Sequence, residues 1–130
     1  MEVSKEVKVY TEEYLLNKSK DRTEDFKEFY YTLRNRILEL GDVDIKVNGK
    51  FLSFYKDNRP FVDFIIYKNK IGINLNIKKG DLRDVLGKCE DQSDKNHWGN
   101  GDYIIWIEPD EDIEYVMSLI KQSYNYKQES

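Results

Sequence analysis

The chain has few of the residues that cross-link a fold or cross a membrane. It has one cysteine, Cys89, among 130 residues, so no internal disulfide can form. A lone thiol is typical of a reducing compartment. No apolar run approaches the roughly 20 residues that a membrane-spanning helix needs, and the first ten residues alternate in charge, unlike a secretory signal. These absences predict a cytoplasmic protein without a membrane partner.

Charge of either sign is abundant but unevenly distributed. Residues 42–80 hold eight Lys or Arg and four Asp or Glu, a net +4, whereas residues 81–130 hold five and twelve, a net −7. The hydrophobic share of 39% is enough for a packed core. Length predicts a single domain over 1–130, with residues 1–20 as an N-terminal arm and 125–130 as a frayed tail.

Two stretches have the spacing of amphipathic helices. The first is predicted to start at an Asp21 N-cap, with Glu24 in capping-box position, and to stop at Gly41. The second is predicted to begin at Asp110, where acidic residues favour the helix dipole. The apolar stripes are Phe26, Phe29, Tyr30, Leu33, Ile37 and Leu40 in the first helix, and Ile113, Val116, Met117, Ile120 and Tyr124 in the second.

Alternating apolar residues over 43–78 predict a four-strand meander. The expected strands are 43–47, 51–56, 61–68 and 71–78, with a type I′ turn at Asn48-Gly49 and turns at 57–60 and 69–70. A fifth strand is predicted at 103–107, a short edge strand around Val7 and Val9, and one helical turn over 81–86. The fold class is therefore α+β, with two layers: an antiparallel five-strand sheet and two main helices packed on one face.

The loop 97–102 is the most unusual stretch, because it joins the only histidine to a tryptophan and two glycines. Glycines permit positive φ and close backbone approach. We expect a ligand-binding site here, comprising His97, Trp98, Gly99, Asn100, Gly101, Asp102 and, from the third strand, Asp63. The alternative is that Trp98 plugs the core beside a partly buried His97.

Asp63 lies in a strand that is apolar on both sides. A buried carboxylate needs a partner, and Arg59 or a lysine is the expected one. The residue is then either a paired structural group or a site residue.

Lysines of the meander are interleaved with Tyr55 and Tyr67. Basic and aromatic residues together suit single-stranded nucleic acid. Lysines in turns and at sheet edges are equally typical of a solvated surface that resists aggregation. Nucleic acid is therefore one partner class, beside a protein or a small ligand.

No established catalytic or metal motif is present. Gly99-Asn100-Gly101 precedes a strand, unlike a dinucleotide-binding turn, and the acidic residues around Cys89 and His97 lack metal-ligand spacing. We expect no metal and no cofactor. A Cys89–His97 nucleophile pair is conceivable, and His97 is the candidate acid or base if the protein is an enzyme.

The sequence resembles an uncharacterised domain family often labelled "predicted transport protein". The stretches that carry the resemblance are Tyr10-Thr-Glu-Glu-Tyr14, Lys18-Ser19, Leu33-Arg34, Phe61-Val62-Asp63, Leu75-Asn76-Ile77, Gly80-Asp81-Leu82, His97-Trp98-Gly99-Asn100-Gly101-Asp102-Tyr103, Tyr115-Val116-Met117 and Leu119-Ile120-Lys121-Gln122-Ser123-Tyr124. Asn96 stands where the family usually has Gly before the His.

The resemblance implies no established activity. Members look like stand-alone domains or C-terminal modules, some on proteins that resemble nucleases and restriction-type defence systems. The expectation is a non-catalytic binding or accessory module that uses the 97–102 loop, with a nucleic-acid-associated role and a small enzyme as alternatives. A homodimer is left open.

Overall fold

An antiparallel sheet organises the computed structural model, which describes residues 10–19, 22–95 and 101–127. The strands are β1 (Asp44–Val47), β2 (Phe51–Lys56), β3 (Arg59–Tyr67), β4 (Lys70–Leu75), β5 (Glu90–Asp91) and β6 (Tyr103–Ile107). Their spatial order is β1-β2-β3-β4-β6-β5. The predicted meander and later strand are confirmed, and β5 is an additional edge strand within a stretch whose polar sequence predicted no regular structure. The predicted edge strand around Val7 and Val9 lies outside the described residues.

The hairpin turns differ from the prediction in one informative way. Asp57 and Asn58 both have positive φ, 50° and 65°, as a type I′ turn requires. Asn48 and Gly49 do not, so the type I′ prediction there is wrong. The Asn48 side-chain oxygen instead accepts from the backbone N–H groups of Lys50 and Phe51, both at 2.8 Å, and this local bonding sets the turn.

A bulge in β3 changes which way one side chain points. Phe54 pairs with Val62 and Tyr55 pairs with Pro60, so Phe61 is an extra residue between the two pairs. Pro60 cannot donate a ladder hydrogen bond, and bulges are a usual place for proline. The Phe61 ring is buried and contacts a helix aromatic, Tyr124, at a centroid distance of 5.2 Å.

Within the described residues, three helices form one core with the sheet. They are α1 (Glu12–Asn17), α2 (Glu24–Leu38) and α3 (Ile113–Tyr124). The core joins the helix stripes to the alternate strand residues that face them, such as Phe54, Phe64 and Ile73. The predicted packing of both main helices on one face is confirmed.

The helix starts differ from those predicted. Thr23 is the N-cap of α2, since its side chain accepts from Phe26 N–H at 3.0 Å. Asp112, rather than Asp110, caps α3.

The short helix α1 was not predicted as a helix. It is fixed by a Glu12–Arg34 ion pair at 2.7 Å and buries Leu15 and Leu16.

The predicted helical turn over 81–86 is wrong. Asp84 accepts instead from the backbone N–H of Cys89 at 2.7 Å, and Leu86 N–H donates to the Tyr115 hydroxyl at 3.0 Å. These local and long-range bonds hold the segment in an irregular path, in which Val85 and Leu86 are exposed.

Candidate binding surface

The outer face of the sheet, turned away from the helices, carries a row of buried polar residues. Ser53, Asp63 and Asn74 are direct cross-strand neighbours on β2, β3 and β4. They alternate with the core residues of the same strands, so all three point outward. Each is buried, and Asp63 is only 1% exposed. The centre of the outer face is therefore polar yet shielded from water.

One hydrogen-bond partner of Asp63 is Ser53, which the sequence did not predict. The Ser53 hydroxyl donates to its carboxylate. Arg59, one of the expected partners, donates instead to the Ser123 carbonyl at the end of α3, at 2.8 Å. A hydroxyl donor from the adjacent strand helps to offset the cost of burying this polar group.

Asn74 fastens the end of the 97–102 loop to the sheet. Its side-chain oxygen accepts from Gly101 N–H at 2.8 Å, and its amide donates to the carbonyls of Gly101 and Tyr103, both at 3.2 Å. A Cβ on Gly101 would lie 1.7 Å from the Leu75 carbonyl oxygen. Glycine is therefore required at this position by close backbone approach.

Asp102 is also bonded to the backbone. Its carboxylate accepts from Lys79 N–H at 2.8 Å, and its own N–H donates to the Ile77 carbonyl. Gly101 and Asp102 thus have structural roles at the base of the loop. The ligand-binding role expected for them stays a prediction. His97, Trp98, Gly99 and Asn100 lie outside the described residues.

An aromatic platform, made by Tyr67, Lys68, Lys70 and Trp106, lies on the outer face at the β3–β4 turn. Tyr67 is 52% exposed and Trp106 is 39% exposed. The Lys70 ammonium lies 5.6 Å from the Tyr67 ring centroid and 5.2 Å from that of Trp106. Lys68 lies 5.4 Å from the Tyr67 ring. These are cation–π distances, and they join both rings around one charge.

Gly72 explains how Trp106 is oriented. The two residues are paired across β4 and β6. A Cβ on Gly72 would lie 2.8 Å from two atoms of the Trp106 indole and 2.8 Å from Ile65. The indole therefore extends over the glycine, and its opposite side is available to solvent.

Sequence reasoning named Tyr67 but did not select Trp106. The sequence shows a tryptophan within the predicted strand 103–107, but its pairing with Gly72 depends on how the strands of the sheet pair.

Cys89 does not have the properties of a nucleophile. Burial, with the Asp84 carboxylate nearby, raises the pKa of its thiol to about 12. The thiol is then protonated near neutral pH, whereas the thiolate is the reactive form. Among the described residues, no three His, Cys, Asp or Glu side chains are grouped so that they could hold a metal ion. No helix in these same ranges combines the length and hydrophobicity that crossing a bilayer requires.

Comparison with known proteins identifies the family. The family described as "Domain of unknown function (DUF5655)" matches residues 11–127, and the chain belongs to it. An uncharacterized protein of Haemophilus influenzae (strain ATCC 51907 / DSM 11121 / KW20 / Rd) is 39% identical over 123 residues, covering 93% of this chain. The chain spans only 39% of that relative's length. No solved structure matches.

Proposed function

We propose that this domain is a non-catalytic binding module that uses the outer face of the sheet together with the 97–102 loop, whose base at Gly101 and Asp102 is bonded to the sheet. One observation carries the proposal: two large aromatic side chains are exposed together on a sheet face. In an antiparallel sheet with one solvated face, the residues that point to solvent are normally polar. Exposed aromatic clusters of this kind mark interaction sites more often than scattered single residues do.

The buried polar row supports the same surface. Asn74 joins the platform's own strand, β4, to the base of the loop, so the platform and the loop share one scaffold. Binding sites perform better when rigid elements position them. Because Asn74 bonds the base of the loop, the loop with the His-Trp-Gly-x-Gly-Asp-Tyr pattern is part of the proposed binding surface. No transport role is proposed.

An acid–base enzyme is less well supported. Asp63 and Asp102 are the carboxylates that could work with His97, and both accept hydrogen bonds within the fold, Asp63 from the Ser53 hydroxyl and Asp102 from Lys79 N–H. The Cys89 thiol is protonated near neutral pH, so it is a poor nucleophile for such an enzyme.

The test compares what the tagged protein and its variants retain from host lysate, with proteins, nucleic acids and metabolites all measured. We expect Trp106→Ala and Tyr67→Ala to lose the retained ligand, and His97→Ala or Trp98→Ala to weaken retention. Tyr31→Ala is the matched control, because Tyr31 is an aromatic of similar exposure, 37%, on α2. Equal retention by all variants would contradict the proposal.

A further inference from the structure

We propose that the aromatic platform binds single-stranded nucleic acid, with bases stacked on Trp106 and Tyr67 and phosphates contacted by Lys68 and Lys70. This inference rests on the proposed function and names the ligand class of the same surface. Unpaired bases expose flat π-faces, and sheet surfaces with outward aromatics can stack them without reading sequence.

The spacing of the rings suits one ligand. Both ring centroids lie within 5.6 Å of the Lys70 ammonium, so they are at most about 11 Å apart. The Trp106 indole extends over Gly72, which leaves one side of the ring for a base. Ile65, half-buried on the same face, continues the surface toward β2.

Several lysines of this face suit the phosphates of a polyanion. In the described ranges, Lys46, Lys68 and Lys70 form no ion pair with a carboxylate. Lys46 instead lies 4.4 Å from the Tyr55 ring, a second basic and aromatic pair on the outer face. By contrast, Lys88 and Lys95 are paired with Glu111 and Glu90.

Unpaired lysines can neutralise phosphates without first breaking an internal pair. Phosphate contacts release counterions, so binding must weaken as salt rises.

The experiment is a fluorescence anisotropy titration with a labelled oligothymidylate, the same-length duplex as competitor, and a series of salt concentrations. We expect the wild type to bind the single strand more tightly than the duplex. Trp106→Ala should weaken binding by about tenfold or more, and Trp106→Phe by less, since stacking contributes about 1 to 3 kcal/mol per base. Lys70→Gln should reduce the slope of log affinity against log salt by about 0.7.

Controls separate surface effects from folding effects. Tyr31→Ala and Lys121→Gln lie on the helices and should bind like the wild type. Lys70→Gln removes charge without removing a ring, so it tests the inference even if Trp106→Ala folds poorly. Circular dichroism checks each fold.

Undetectable oligonucleotide binding, stronger binding to duplex, or equal loss in platform and control variants would overturn this inference. The lysate experiment distinguishes failure of this inference from failure of the proposed function. If nuclease-treated lysate still supplies a ligand that Trp106→Ala loses, the surface binds something other than nucleic acid.

Discussion

The two faces of the sheet use the same strands for opposite purposes. On the helix side, Phe64 and Ile73 are fully buried and belong to a continuous apolar core. On the outer side, the same strands place Asp63 and Asn74 in a buried polar row and Tyr67 in solvent. The helix-side face therefore stabilises the fold. The outer face leaves large aromatic side chains exposed to solvent, which stability alone does not favour.

The largest expected effect is a difference in stability loss between two aromatic substitutions in β3, one on each face of the sheet. Phe64→Ala should lower the free energy of unfolding by about 3 to 5 kcal/mol, because it leaves a cavity beside Phe54 and Tyr30. Tyr67→Ala, on the outer face, should cost less than about 1 kcal/mol. Urea denaturation measures both, and similar losses in the two variants would refute the division between the faces.

A second prediction concerns how the outer face holds the loop. Gly101→Ala should destabilise the protein by about 2 to 3 kcal/mol, since the added Cβ meets the Leu75 carbonyl and the backbone must move. Gly49→Ala is the control, because the atoms nearest to its Cβ would be those of the Tyr10 side chain, at 3.2 Å or more, rather than backbone. If Gly101→Ala melts like Gly49→Ala, the close approach is not a constraint.

Gly72→Ala sharpens the comparison within the outer face. The new Cβ would push the Trp106 indole off β4, at a cost of about 1 kcal/mol in stability. The expected signature is a changed indole N–H resonance and a greater loss of ligand binding than of stability. An unchanged Trp106 resonance would show that the indole does not lie over the glycine.

The smallest effect lies beyond both faces, at Asp84. Burial opposes ionisation there, but hydrogen bonds from the Tyr115 hydroxyl and Cys89 N–H lower the pKa of the carboxyl below its ordinary 3.8. The stabilisation is therefore complete above the ordinary pKa and lost as pH falls through the folded value. Unfolding at pH 6 and pH 3 should show a larger acid loss in wild type than in Asp84→Asn. Identical losses would mean that Asp84 contributes nothing.

Periodicity predicted the helix-side face well. Phe26, Phe29, Tyr30, Leu33 and Ile37 are all buried as their spacing indicated, and four predicted strands match closely. Repetition over many residues makes such signals strong.

Short and long-range features escaped prediction. The six-residue α1 is too short for a periodic signal. It is held by tertiary contacts: Leu15 and Leu16 are buried in the core, and Glu12 pairs with Arg34, 22 residues away. The two-residue β5 exists because it pairs with β6. At Asn48 a side chain competed successfully with the expected turn chemistry.

The candidate site was predicted only in part. Asp63 was predicted as a site residue, but its Ser53 partner depends on the pairing register of β2 and β3, which cannot be read from the sequence. The orientation of the Trp106 side chain depends on Gly72, which lies 34 positions earlier in the sequence and is brought next to it by strand pairing. Contacts of this kind are set by tertiary pairing, so local pattern could not supply them.

The most direct test of the account is a two-dimensional amide NMR titration of the isotopically labelled protein with the single-stranded oligonucleotide. Binding at the aromatic platform should shift the resonances of Tyr67, Lys68, Lys70, Gly72 and the Trp106 indole N–H, and should leave α2 and α3 unchanged. Shifts concentrated on those helices, or no shifts at saturating oligonucleotide, would contradict it.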